Sequence, residues 1–348
     1  MINTVDFKPN EEYFAAANSY CGFVSHFAKE FEPQKYERIF ILKGGPGTGK
    51  STLMKGIGSY FSDKATYVKA VYCSSDIHSL DGIILTKNNK SVCIIDGTSP
   101  HSIDPLYPGV KEEIIDLAKG INVTKLIESK DEIIHLNQTK KQHYKNAYAL
   151  LEIAGKINDK IWQNYSKQYD YSRAEYIINE LMSDKTNEKC ACVNWRFISC
   201  FNKDSLVRFP LKEQRCELVT ITGNGYSEYL FMNQLLAHVG VDNATHVYYT
   251  PLSDKMVECI QTPHFSFIVD NGNNTGLDTA TLCDVDSESI RLTEYRNGLE
   301  ILAAKAFTNA SNCHFDLERI YKESVDFSYN EEVLGNITDK LAFYLEIK

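Results

Sequence analysis

Apolar residues occur along this chain in two kinds of run. Short unbroken runs such as Ile39-Phe40-Ile41-Leu42 and Val92-Cys93-Ile94-Ile95 have the length and branched residues of strands buried on both faces. Thr66-Tyr67-Val68-Lys69-Ala70-Val71-Tyr72-Cys73 is rich in β-formers and predicts another strand. Other apolar residues recur at helical spacing. Leu53, Met54, Ile57 and Phe61 predict a helix just after the first strand, and Ala147, Leu150, Leu151, Ala154, Ile157, Ile161 and Tyr165 predict a longer one. From Lys111 to about Asp184 the chain is rich in Lys, Glu, Ile and Leu. No proline lies between Pro108 and Pro210, so this region predicts two or three long helices, or a protruding helical hairpin. Residues 1–37 predict a short lead-in packed on the first strand. The piece from Ser74-Ser75-Asp76 to Asp81-Gly82 reads as helical or irregular. Glu288 to Lys348 predicts helix, loosened near Val325-Asp326-Phe327.

The second half repeats the order of the first. Glu217–Gly223 parallels Arg38–Gly44, and Tyr229–Leu235 parallels the helix after it. His246–Tyr249 parallels Ala70–Cys73, and Phe265–Gly272 parallels Val92–Gly97. Phe197-Ile198-Ser199-Cys200 stands roughly where Phe14-Ala15-Ala16-Ala17 stands earlier. The offset stays at roughly 175 to 180 residues, as a duplication leaves it. The expected fold is therefore α/β: two tandem three-layer α/β/α units of the P-loop NTPase kind, with mostly parallel sheets and a long helical insertion. The expected boundaries are 1–108 for the first unit, 109–186 for an insertion or arm packing on it, and 187–348 for the second unit with a helical C-terminus.

The candidate chemistry lies between the first strand and the first helix. Gly44-Gly45-Pro46-Gly47-Thr48-Gly49-Lys50-Ser51 fits the phosphate-cradling pattern G-x-x-x-x-G-K-[ST], and Thr52 continues the helix. Glycines let the backbone curl so that successive N–H groups point inward, and the helix N-terminus adds partial positive charge. In this role Lys50 reaches the β- and γ-phosphates, and Ser51 holds Mg²⁺. Asp96, ending a buried strand about 50 residues after the loop, is the expected second Mg²⁺ group. No Glu follows Asp96, so the groups left to activate water are Asp76, Asp81 and His101, with Asp76 the first choice. A loop histidine such as His101 is more often a structural hydrogen-bonder. The second glycine loop, Gly223–Tyr229, is shorter and has no lysine. Glu228 near the lysine position would repel phosphate, so the second unit reads as a pseudo-domain without nucleotide.

Composition narrows the function classes. The 348 residues carry a net charge of -9, which argues against a general nucleic-acid or anionic-membrane binder. No apolar run approaches the roughly 20 residues of a membrane span, and the N-terminus has no signal-peptide layout, so a cytoplasmic location is expected. The ten cysteines, among them Cys73, Cys93 and Cys259, read as reduced core residues. Cys190-x-Cys192 has the wrong spacing for a zinc knuckle. No arginine lies between Arg38 and Arg173, so the arginine clamp of small-molecule kinases is missing. An arginine finger would come from Arg196, Arg208 or Arg215, or from another subunit. Neither Lys87-Asn88-Asn89-Lys90 nor Asn271-Gly272-Asn273-Asn274 forms a guanine-reading motif, so ATP is the default nucleotide.

Taken together, Phe14–Asn18 with Gly22-Phe23, Ile39–Lys55, Cys73-Ser74-Ser75-Asp76, Ser79-Leu80-Asp81-Gly82 and Asp96-Gly97-Thr98-Ser99-Pro100-His101 with Asp104-Pro105 resemble a bacterial family of tandem P-loop ATPases known only as ATP-binding proteins. Leu317-Glu318, Tyr321 and Val325-Asp326-Phe327 extend the resemblance to nearly the whole chain. It implies a tandem fold and ATP binding but supplies no substrate or pathway, and members typically carry a second intact loop where this chain has Gly223–Tyr229. The expected function is a Mg²⁺-dependent ATPase with one working site. The alternatives are a nucleotide-driven switch with little turnover, its charged helical arm serving as a partner-binding lever, and a small-molecule kinase.

Overall fold

The computed structural model describes residues 7–185, 194–209, 217–270 and 276–347. In chain order the elements are β1 (Glu11–Tyr13), β2 (Ala16–Ser19), β3 (Gly22–Ser25), α1 (Phe27–Glu30), β4 (Arg38–Lys43), α2 (Lys50–Phe61), β5 (Tyr67–Tyr72), β6 (Leu80–Lys87), β7 (Lys90–Asp96) and β8 (Glu112–Asp116). Then come α3 (Val123–Glu128), α4 (Lys130–Gln168), α5 (Tyr171–Met182), β9 (Asn194–Arg196), β10 (Ser199–Asn202), β11 (Ser205–Arg208), β12 (Glu217–Thr222), α6 (Ser227–Val239) and β13 (His246–Tyr249). The chain ends with β14 (Val257–Gln261), β15 (Phe265–Val269), β16 (Leu277–Asp278), α7 (Ser287–Lys322) and α8 (Phe327–Tyr344).

The fold is mixed α/β with mostly parallel sheets. The first six-stranded sheet has the order β1-β5-β6-β7-β4-β8. β1 pairs parallel with β5, and β4 pairs parallel with both β7 and β8, while β6 runs antiparallel to β5 and β7. The second sheet, β9-β13-β14-β15-β12-β16, repeats this order with the same directions: only β14 runs antiparallel to its neighbours. The repeat expected from segment order thus extends to every strand of both sheets.

The contacts divide the chain into two compact units. One comprises Met1–Ala15, Ser25–Lys145 and Ala306–Lys348; the other comprises Ala16–Val24 and Asn146–Lys305. These units do not follow the boundaries expected at residues 108 and 186, because α4 and α7 each contribute to both. In the first unit Val333, Ile337 and Leu341 of α8 share a core with Leu53, Met54, Ile57 and Phe61 of α2. In the second, Ala174, Ile178 and Met182 of α5 share a core with Leu230, Phe231, Leu235 and Val239 of α6. The C-terminal helix therefore completes the first unit. The last helix of the expected insertion, α5, belongs to the second unit, where it shares a core with α6.

Two local expectations also change. Glu112–Asp116 is a strand where helix was expected; Glu112 is buried and its Oε2 accepts the N–H groups of Leu106 and Tyr107, both at 2.7 Å. Leu80–Lys87 is a strand, joined to β7 by Asn88 and Asn89 at φ of +52° and +61°, the twist that suits a two-residue hairpin turn. The lead-in packs against β4, as expected, with Tyr13, Ala15, Phe27, Phe31 and Tyr36 sharing a core with Ile39 and Ile41, and it also extends the sheet through β1 on β5. Cys190, Cys192, Arg215 and Asn271–Asn274 lie outside the described residues.

Candidate functional site

Residues 44–49 connect the C-terminal end of β4 to the N-terminus of α2. Gly47 and Gly49 adopt φ of +69° and +86°, which only glycine takes without strain. Inside the loop the Thr48 hydroxyl donates to the Gly45 carbonyl at 2.9 Å. Lys50 Nζ donates to the carbonyls of Gly44 and Gly45, both at 3.0 Å, and stands 3.7 Å from Asp96 Oδ2. Among the described residues, no protein group accepts from the N–H groups of Gly45, Gly47 and Gly49. A half-buried row of donors at a helix N-terminus, beside a lysine, is an arrangement that an anion satisfies.

The parallel register of β4 and β7 sets Leu42 opposite Asp96 and so brings this carboxylate beside the loop. Asp96 Oδ1 accepts from the Thr98 N–H at 2.9 Å and the Thr98 hydroxyl at 2.6 Å. Burial holds the Asp96 carboxyl above its ordinary range, against the opposing pull of Lys50 and Thr98. Lys43 Nζ ties down the following segment by donating to the carbonyls of Gly97 and Ile103 at 2.7 and 2.8 Å. The Ser51 hydroxyl accepts the Leu80 N–H at 2.9 Å, which leaves it a second lone pair. A half-buried carboxylate and a hydroxyl are hard oxygen donors of the kind Mg²⁺ takes.

The expected water-activating groups fare differently. His101 is buried, with Nε2 3.1 Å from Asp81 Oδ2 and its ring stacked on Phe27 at 4.4 Å, so its contacts are internal. Asp76 does not end a strand: β5 stops at Tyr72, and Asp76 Oδ1 accepts the His78 N–H at 3.0 Å in the turn that follows. Arg208 is committed to Glu258 at 2.8 Å and to the Val269 carbonyl, and Arg196 is buried.

Residues the sequence reading did not place in the site come from the C-terminal helices. Asn330 Nδ2 donates to the Thr48 carbonyl at 2.8 Å. A Cβ on Gly45 would stand 2.5 Å from the Tyr321 ring, and one on Gly47 would stand 2.6 Å from the Glu318 carbonyl oxygen. The loop is therefore braced by α7 and α8. Truncation in Asn330→Ala leaves the Thr48 carbonyl without its donor and should cost about 1–3 kcal/mol, read as a lowered urea midpoint. An unchanged midpoint would show that the brace contributes nothing.

The corresponding loop of the second unit is closed on itself. Glu228 is buried, and its Oε2 accepts the Gly225 N–H at 3.1 Å and lies 3.4 Å from Ser227 Oγ. The N–H groups of Asn224 and Ser227 are also met by side chains, through Ser227 Oγ at 3.2 Å and Asn224 Oδ1 at 3.4 Å. Ser227 Oγ lies 3.1 Å from Thr279 Oγ1. The loop's own carboxylate thus takes donors of the kind that stay open in residues 44–49.

Comparison of the chain with protein-family models, with curated proteins and with solved structures gives no match. Among the described residues, no helix is long and apolar enough to cross a membrane, and no group of three or more His, Cys, Asp or Glu is placed to hold a metal ion.

Proposed function

We propose that the chain is an ATP-binding protein, and a Mg²⁺-dependent ATPase, with a single nucleotide site at Gly44–Ser51. The reading rests on one contrast. Among the described residues, the N–H groups of Gly45, Gly47 and Gly49 have no protein acceptor, whereas in the equivalent loop those of Asn224, Gly225 and Ser227 are met by Ser227 Oγ, Glu228 and Asn224 Oδ1. Lys50 supplies the cation at the first loop, and the repeated strand order supports two units of P-loop ancestry, one of which lost its ligand.

In this reading the loop amides and Lys50 hold the phosphates, and Gly47 and Gly49 permit the curl. Ser51 and Asp96 would hold Mg²⁺, which neutralises charge on the phosphate oxygens when bound. Thr98 fixes the orientation of Asp96, and Asp76 is the candidate to orient water. The engagement of His101 by Asp81 and Phe27 leaves few groups for that task and favours a second reading, a nucleotide-dependent switch with little turnover. Phosphate release from Mg-ATP separates the readings. Turnover that disappears in Lys50→Ala supports the ATPase. Tight binding without turnover supports the switch, and ADP formed only on addition of a metabolite indicates transfer to a small molecule. Absence of nucleotide binding by the unmodified protein would overturn the proposal.

A further inference from the structure

α7 presents more than a brace to the phosphate loop. Glu318 and Tyr321 face Gly47 and Gly45, and His314 lies one helical turn before Glu318, so the three share a face. His314 Nε2 is 3.6 Å from Glu318 Oε1. A second helix reaches the same region: the Tyr144 hydroxyl of α4 lies 2.9 Å from Ser75 Oγ, and its ring meets Phe307 of α7 at 5.7 Å. Lys140 is one turn before Tyr144 on that face of α4. It is half-buried, and its electrostatic neighbours are Cys313 and Lys141. Among the described residues it has no carboxylate partner. The charged groups that act electrostatically on His314 are Lys50 from α2, Lys140 from α4, Asp76 from the turn after β5, and Glu318 from its own helix.

We propose that Lys140 and His314 contact the terminal phosphate of a nucleoside triphosphate held at Gly44–Ser51, and so supply the positive charge that arginines supply in other phosphoryl-transfer sites. This rests on the reading of Gly44–Ser51 as a nucleotide site. The first unit contains two arginines, and neither is placed for the task. Arg38, at the start of β4, is bound to Glu113 at 2.8 Å and to the Gly109 carbonyl at 2.6 Å. Arg319 is exposed, 3.8 Å from Asp316. Lys140 is half-buried with no carboxylate partner among the described residues, and its charge and that of a protonated His314 repel unless an anion lies between them. Burial, Lys140 and Lys50 hold His314 below its ordinary pKa, while Glu318 and Asp76 pull the other way. Arrival of a phosphate among these groups therefore favours the imidazolium, so His314 should take up a proton as the nucleotide binds at neutral pH.

The test compares ATP and ADP, each with Mg²⁺, by calorimetry on the full chain. Lys140→Met and His314→Gln should each lower ATP affinity by about 10- to 100-fold and leave ADP affinity unchanged, because only ATP carries the third phosphate. Lys140→Arg should keep most of the ATP affinity. Repeating the ATP titration in two buffers of different ionisation enthalpy should reveal proton uptake that His314→Gln abolishes. ATP and ADP affinities that both stay unchanged, or that fall together, would overturn the assignment while leaving the nucleotide site intact. Failure of the unmodified protein to bind either nucleotide would overturn the underlying reading as well.

Discussion

Lys50→Ala is expected to weaken Mg-ATP binding by at least about 100-fold, equivalent to roughly 3 kcal/mol, because it removes charge-assisted hydrogen bonds to two phosphates at once. The variant should fold. Lys50 packs against the loop mouth rather than in the core, and its protein partners are two carbonyls and the Asp96 carboxylate. Any turnover should fall by about 100- to 1,000-fold, the effect of deleting a preorganised charge from a site of developing negative charge. Fluorescent-nucleotide titration checks the first figure and phosphate release the second. Wild-type affinity in Lys50→Ala would place any nucleotide elsewhere.

The second large effect is on stability. Glu258 of β14 is completely buried and shared between Arg208 Nη2 at 2.8 Å and Ser199 Oγ at 2.7 Å. Burial pushes its carboxyl above the ordinary range, and Arg208 and Ser199 oppose the push. Arg208→Ala leaves an uncompensated buried charge and should cost about 3–5 kcal/mol, most of the stability of a marginal domain. With the guanidinium gone, the folded-state pKa of Glu258 rises further above its unfolded value. Protonation then favours the folded form, so the variant is least impaired at acid pH. Its stability is lost as pH climbs from the unfolded value through the raised folded one. Urea unfolding of Arg208→Ala at pH 5 and pH 8 should show the larger deficit at pH 8, and Glu258→Gln in the same chain should recover part of it. An equal deficit at both pH values would mean that lost packing, not a stranded charge, is responsible.

What the sequence made legible was local. Ile39–Leu42, the glycine loop and the Leu53–Phe61 stripe name β4, its turn and α2 by pattern alone, and the strand ending in Asp96 follows from its apolar run. β6 was missed because Asp81 and Gly82 interrupt its apolar run, although the Asn88-Asn89 pair marks its hairpin. β8 was missed because Glu112 and Glu113 look helical until Glu112 is seen accepting two backbone N–H groups in the interior. Glu228 could be seen as a charge near the second loop, but not as the group that closes it, since that depends on its side chain folding back toward Gly225.

The approach of Glu318, Tyr321 and Asn330 to the loop at residues 44–49 joins residues far apart in the chain, and no periodicity encodes such a contact. The same holds for the placement of α8 on α2 and of α5 on α6. Both helices carry ordinary amphipathic stripes that say which face is buried but not against what. Thus the loop could be read from adjacent residues, while its bracing and its neighbouring cations could not.

The central claim is one glycine loop open to a nucleotide and one closed by its own carboxylate. Isothermal titration of the full chain with ATP and Mg²⁺ tests it most directly. The account predicts one nucleotide per chain, the same stoichiometry in Glu228→Gln, and loss of the signal in Lys50→Ala. Two nucleotides per chain, or one that persists in Lys50→Ala, would contradict it.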